Sequence, residues 1–272
     1  MPYPRIIARV ETKGLRAELW ANDVPAVMLY PGEADTPIGV PLNELLNSGR
    51  NQIGVLLHAA PLASRAADPW PEDPLARSYR GPASIKLRLA EYGPDQRVTS
   101  DNPPAIATIE WSGIAVPTPS MLTRDFDLAA PLGPWAWQRA ERFSPLGAAV
   151  RARAIEYLKS LNEMLTAKRY DDYIAENSYK VEEMTARAYG VSPAPFRRSM
   201  LQAMEEHGRE PWRLAPFDPA ALDLRPAAGG RLIDCLRTDR HSVFEYTRPD
   251  SKDTFFLPAM IGFVGGQWCV LR

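Results

Sequence analysis

The sequence predicts an α+β protein: an N-terminal antiparallel β-sandwich followed by a half in which helices precede an antiparallel sheet. Three stretches of different periodicity carry this expectation. Up to about residue 115, apolar residues alternate with polar ones at a period of two. Between residues 148 and 207 they recur every three or four positions. From residue 222 to the end, short apolar runs return, separated by glycine-rich turns.

Ile6 to Val10 is the first expected strand, ended by Lys13-Gly14. Leu15, Ala17 and Leu19 share one face of the next, with Arg16 and Glu18 on the other. Asn22-Asp23 then suits a tight turn, because both residues tolerate positive φ. Val24, Ala26 and Met28 continue the hairpin to Tyr30, where Pro31-Gly32 stops it. Leu42, Leu45 and Leu46 have helical spacing, Gly49 is a helix stop, and Asn51 to Leu57 reads as a returning strand. Between Pro61 and Pro82 five prolines predict a long irregular loop that could present Trp70 and Tyr79 to a partner or pack them against the sandwich. Ser84 to Leu89 and Ala105 to Ser112 are strands, which completes sandwich-like spacing over residues 1–116.

Residues 117–145 are expected as an ordered junction rich in proline and tryptophan. Phe126, Leu128, Leu132, Trp135 and Trp137 make it too apolar for a mobile linker, so it should lie against a domain surface. Trp135 and Trp137 join Trp70 and Tyr79 as candidate interaction residues.

The second domain spans 146–272. Ala148, Arg151, Ile155, Leu158, Leu161, Met164 and Leu165 define an amphipathic helix. A second begins near Asp171-Asp172, whose charge suits a first turn. Ser192-Pro193-Ala194-Pro195-Phe196 reads as an interruption before a third helix over 198–207. Strands follow at 222–224, 231–236, 242–247, 254–263 and 267–271, with Gly229-Gly230 and Gly265-Gly266 as hairpin turns.

Two resemblances follow from these residues. The passage Ala21-Asn22-Asp23-Val24, with Asn43-Glu44-Leu45-Leu46-Asn47-Ser48-Gly49-Arg50-Asn51, resembles the jelly-roll, galactose-binding-like modules attached to many glycoside hydrolases. Any antiparallel sandwich with a short helix crossing between sheets fits it equally well. Three helices before an antiparallel meander, with Gly266, Trp268 and Val270 in the last hairpin and Asp171-Asp172-Tyr173 at a helix start, resemble the NTF2-like family over residues 146–272. That likeness implies a conical pocket between sheet and helices, used in different members for catalysis, small-ligand binding or dimerisation. It also implies an Asp, Tyr or His inside the pocket, for which Tyr157, Tyr173, Asp234, His241, Glu245 and Tyr246 are the candidates. Tyr157, Tyr173, Asp234 and Tyr246 are the preferred pocket residues. Asp234 stands in an apolar strand but could face outward, and His241 falls in a turn.

A formal charge of −1 over 272 residues argues against a bulk nucleic-acid binder. No stretch is apolar enough to span a membrane, and no secretory leader is visible at residue 1, so the expected location is cytoplasmic; a processed start would look the same. Cys235 and Cys269 are either small buried hydrophobes or a cross-strand disulfide. Neither they nor His58, His207 and His241 have metal-ligand spacing, so no metal and no cofactor is expected. Nucleotide-binding glycine loops and Gly-x-Ser-x-Gly are absent from the sequence. The leading expectation is a non-catalytic binding protein with a protein partner, in character like accessory or immunity proteins of bacterial secretion and toxin systems. The alternative is an NTF2-like enzyme or binder of a small apolar ligand. A third is carbohydrate binding, with Trp20, Trp70 or Trp111 stacking on sugar rings. Oligomeric state is left open, a dimer included.

Overall fold

The computed structural model describes residues 4–29, 37–58, 82–93, 96–98, 100–113, 119–238, 241–251 and 253–272. The chain is α+β and divides into two compact units, Met1–Gly133 and Pro134–Arg272.

The first unit holds β1 (Arg5–Lys13), β2 (Ala17–Ala21), β3 (Val24–Leu29), β4 (Ile38–Pro41), β5 (Gly49–Leu57), β6 (Ala83–Tyr92), β7 (Ala105–Gly113) and β8 (Ser120–Leu128). They form two antiparallel sheets, in the orders β4-β1-β6-β7 and β3-β2-β5-β8, as a β-sandwich requires. Alternation decides which face is buried: Ala17, Leu19 and Ala21 of β2, and Ile85, Leu87 and Leu89 of β6, are all removed from solvent. Asn22 and Asp23 both have positive φ, 51° and 62°, which makes the β2–β3 connection a two-residue turn of the type that matches strand twist.

Part of the segment expected as an ordered junction, 117–145, is the strand β8. This strand pairs with β5 from Gly49↔Leu128 to Leu57↔Ser120, so part of the segment is a structural strand of the first unit. Its pattern hides it, because Phe126 and Leu128 are its buried residues and the others are exposed or half-exposed.

The residues behind the jelly-roll resemblance have a structural task. Asn22 Nδ2 donates to Leu45 O (2.8 Å) and Asn51 Oδ1 (2.9 Å), while Asn22 Oδ1 accepts from Gln52 N. Asn51 Oδ1 also accepts from Asn47 N, and its Nδ2 donates to the carbonyls of Asn47 and Gly49, each at 2.8 Å. Asn43 Oδ1 accepts from Ile6 N. Asn22 thus satisfies the last carbonyl of the short 3-10 turn Asn43–Leu45, Asn51 the backbone of the passage that follows it, and Asn43 a backbone N–H of β1.

The second unit opens with α1 (Ala148–Thr166), α2 (Tyr170–Glu176), α3 (Ser178–Glu182), a π-helical turn (Glu183–Arg187) and α4 (Pro193–His207). Ala154, Leu158, Leu161 and Leu165 make the buried stripe of α1. The helix stops where Lys168 turns left-handed (φ 57°). Its N–H then bonds Leu165 O and that of Arg169 bonds Met164 O, satisfying two terminal carbonyls. The expected interruption at 192–196 is instead the first turn of α4. Ser192 Oγ accepts from Ala194 N, and Pro193 occupies a first-turn position where no N–H is needed.

The sheet strands are β9 (Arg213–Leu214), β10 (Leu222–Ala227), β11 (Leu232–Arg237), β12 (Phe244–Thr247), β13 (Thr254–Leu257), β14 (Ala259–Val264) and β15 (Gln267–Val270). The single strand expected over 254–263 is broken at Pro258, whose ring lacks the N–H a ladder needs. On one side β13 pairs with β12 in the order β13-β12-β9; on the other, β14 lies in the order β10-β11-β14-β15. Gly265 and Gly266 (φ 61° and 89°) turn β14 into β15. Both cysteines are buried free thiols.

Candidate functional site

One end of the second unit holds a cavity of about 340 Å³, within the size range of small-molecule sites. The end of α1 supplies Leu165, the start of α2 supplies Tyr170, and the segment after α4 supplies Gly208, Trp212 and Phe217. Leu214 of β9 and its cross-strand partner Tyr246 of β12 close the wall. The Schellman-type stop at Lys168 is what places Tyr170 here, by turning the chain sharply between α1 and α2.

Tyr170 and Tyr246 are 7% and 3% exposed, and neither hydroxyl has a hydrogen-bond partner among the described residues. Leaving a buried hydroxyl unsatisfied costs about 1–3 kcal/mol, so two in one cavity call for a physical reason. Burial raises the Tyr246 phenol well above its ordinary pKa, with the Tyr170 phenol beside it adding to the rise. Next to the cavity, His207 stacks on Phe255 (centroids 4.1 Å apart) and meets Trp212 edge-on at 4.4 Å. Its Nδ1 is 2.6 Å from Ala203 O, one helical turn back.

Of the four preferred pocket residues, Tyr246 lines this cavity. Tyr157 instead donates its hydroxyl to Glu176 at 2.8 Å and stacks on Trp268. Tyr173 is core, its ring edge-on to Phe244, and burial raises its phenol. Asp234 is buried and takes a 2.6 Å ion pair from Arg225 across the β10–β11 ladder. Glu245 is likewise buried and committed, with Arg237 and His241 each 3.0 Å from one of its oxygens. His241 is held by that contact and not displayed freely.

The interaction candidates fare similarly. Trp135 is 0% exposed and Trp137 is also buried, so both are core and not display residues. Trp70 and Tyr79 lie outside the described residues. Trp20 is half-buried and its indole N–H donates to Glu18. Among the described residues no group of three or more His, Cys, Asp or Glu is placed to hold a metal, and no helix is long and apolar enough to cross a membrane. Comparison with family models, with curated proteins and with solved structures finds no match.

Sequence reasoning missed Tyr170, Gly208, Trp212 and Phe217. The available signal was the segment Gly208-Arg209-Glu210-Pro211-Trp212-Arg213-Leu214-Ala215-Pro216-Phe217, where aromatic residues sit among prolines outside any periodic element.

The raised phenols give a testable pH dependence. Tyr173 and Tyr246 have folded pKa values above the unfolded value of 10.0, so their contribution to stability is complete below that pH. It is lost as the pH rises past it, because the unfolded chain then ionises and the folded one does not. Ultraviolet difference spectra should show these two tyrosines ionising only together with unfolding. Full ionisation of all tyrosines in the folded protein near pH 10.0 would contradict the burial described.

Proposed function

We propose that the protein is a non-catalytic binding protein whose second unit takes up a small, largely apolar ligand in this cavity. The observation that carries the reading is the cavity wall: Leu165, Trp212, Leu214, Ala215 and Phe217, with Asn162, Thr166, Lys168 and Glu210, line it around two buried hydroxyls that have no partner among the described residues. Binding is favoured over turnover by the state of the buried carboxylates. Glu183, Asp234 and Glu245 are each paired with a guanidinium within the protein, so their oxygens are engaged in structural contacts and none of the three lines the cavity. The pocket implied by the NTF2-like resemblance supports the same reading, and the two antiparallel sheets of the first unit support a β-sandwich partner module.

The neutral fluorescent probe N-phenyl-1-naphthylamine tests this on the full chain. It should bind saturably with a blue shift, and Ala215→Phe, which places a ring in the cavity wall, should abolish the signal while circular dichroism stays unchanged. Undiminished probe binding by folded Ala215→Phe would move the ligand site elsewhere.

A second reading, recognition of a protein partner, is favoured by two exposed apolar residues, Val191 just before α4 and Phe196 in its first turn. If a partner captured from the native host binds Phe196→Asp as well as wild type, that surface is not the recognition site.

A further inference from the structure

We propose that the ligand presents an uncharged oxygen acceptor, a ketone or amide carbonyl on a frame of one or two rings, to the hydroxyls of Tyr170 and Tyr246. This rests on the cavity being a ligand site and specifies what it selects.

The two phenols are close enough for a weak mutual hydrogen bond to add to the rise of Tyr246, yet neither hydroxyl has a partner of normal geometry among the described residues. Both therefore keep an unused donor at the same place. A carbonyl oxygen has two lone pairs and can accept from both, which satisfies the pair with one ligand atom. Burial raises the Tyr246 phenol, so it stays protonated and acts as a donor throughout the neutral range.

Charge argues for a neutral acceptor. The charged residues lining the cavity are Lys168 and Glu210, both exposed and opposite in sign. A carboxylate carried inward would lose its hydration without gaining a buried cation. Trp212 and Phe217 in the cavity wall supply aromatic surface against which a flat apolar frame can pack.

Gly208 fixes the arrangement. A β-carbon added there would overlap the Tyr170 hydroxyl and would lie 2.9 Å from Met204 O. The missing side chain is the space in which that hydroxyl sits. Gly208 is thus a positioning residue for the donor pair.

Three probes on the same bicyclic frame separate the possibilities: 1-indanone, indane and indane-1-carboxylate. Their binding to the full chain can be measured by ligand-observed NMR, with Ala215→Phe as the blocked control. The expected result is that 1-indanone binds about tenfold or more tightly than indane. Tyr170→Phe and Tyr246→Phe, which keep the rings and the fold, should each erase most of that preference and leave indane binding unchanged. Gly208→Ala should do the same by displacing Tyr170. Equal affinity for ketone and hydrocarbon, both blocked by Ala215→Phe, would overturn the carbonyl proposal and leave the cavity as a ligand site. Preference for the carboxylate would overturn the neutral acceptor. Binding of all three probes unaffected by Ala215→Phe, or no binding at all, would overturn the cavity reading itself.

Discussion

Replacing Glu183 by Ala is expected to destabilise the second unit by about 3–5 kcal/mol, among the largest effects any single side chain there should produce. Glu183 Oε2 accepts from Arg272 Nη1 at 2.8 Å, and both side chains are almost wholly buried. Its Oε1 accepts from Ala136 N at 2.5 Å and lies 3.4 Å from Arg187 Nη1. Arg187 and Arg272 in turn stand over the Trp135 ring, 5.7 and 5.9 Å from its centre. One carboxylate therefore joins the π-helical turn, the segment around Trp135 and the residues after β15. Its loss leaves the Arg272 guanidinium buried without its anion, which costs more than the pair itself contributes. The double variant Glu183→Ala/Arg272→Ala should recover part of the loss, because both charges are then gone. Urea unfolding measures both; a cost under about 1 kcal/mol for Glu183→Ala would show that the pair is idle.

Asn51→Ala should cost the first unit about 2–3 kcal/mol. The amide of Asn51 makes four hydrogen bonds, two accepted and two donated, to Asn22, Asn47 and Gly49. Removing it strands backbone groups that sit in the tight passage between the 3-10 turn and β5. Asn51→Asp retains the acceptors but puts a carboxylate against two carbonyls, so it should not rescue. Hydrogen exchange reads this locally: the amides of Asn47 and Gln52 should lose protection in Asn51→Ala. If they keep wild-type protection, the asparagine network does not hold the turn.

How much of this was legible in the sequence depends on where the physics is local. Alternation placed β1, β2, β6 and β7 correctly, since each buries one face and the period is built into the strand. Asn22-Asp23 and Gly265-Gly266 announced their turns because positive φ restricts residue choice. β8 was illegible, since most of its side chains meet solvent and its pairing with β5 alone defines it. The start of α4 was misread because proline was taken as a breaker, whereas at a first helical turn its missing N–H is no loss. The site was harder still. Tyr170, Gly208 and Tyr246 are brought together by two chain reversals, and no spacing in the sequence encodes that meeting. Asp234 attracted notice as a polar residue in an apolar strand, but its cross-strand neighbour Arg225 accounts for it.

The late arrival of β8 also sets the order in which the first unit can mature. As the chain is synthesised, β5 can join β2 early, but its other edge waits until residue 128 has been made. Over that interval β5, with Ile53, Val55 and Leu57, offers a row of open N–H and C=O groups to whatever strand is near. Pairing across such a span is slow, because the ends must be brought together before any contact rewards it. A fragment cut after β7 would be arrested at that stage, sticky and incomplete. One cut at Gly133 carries its own closing strand.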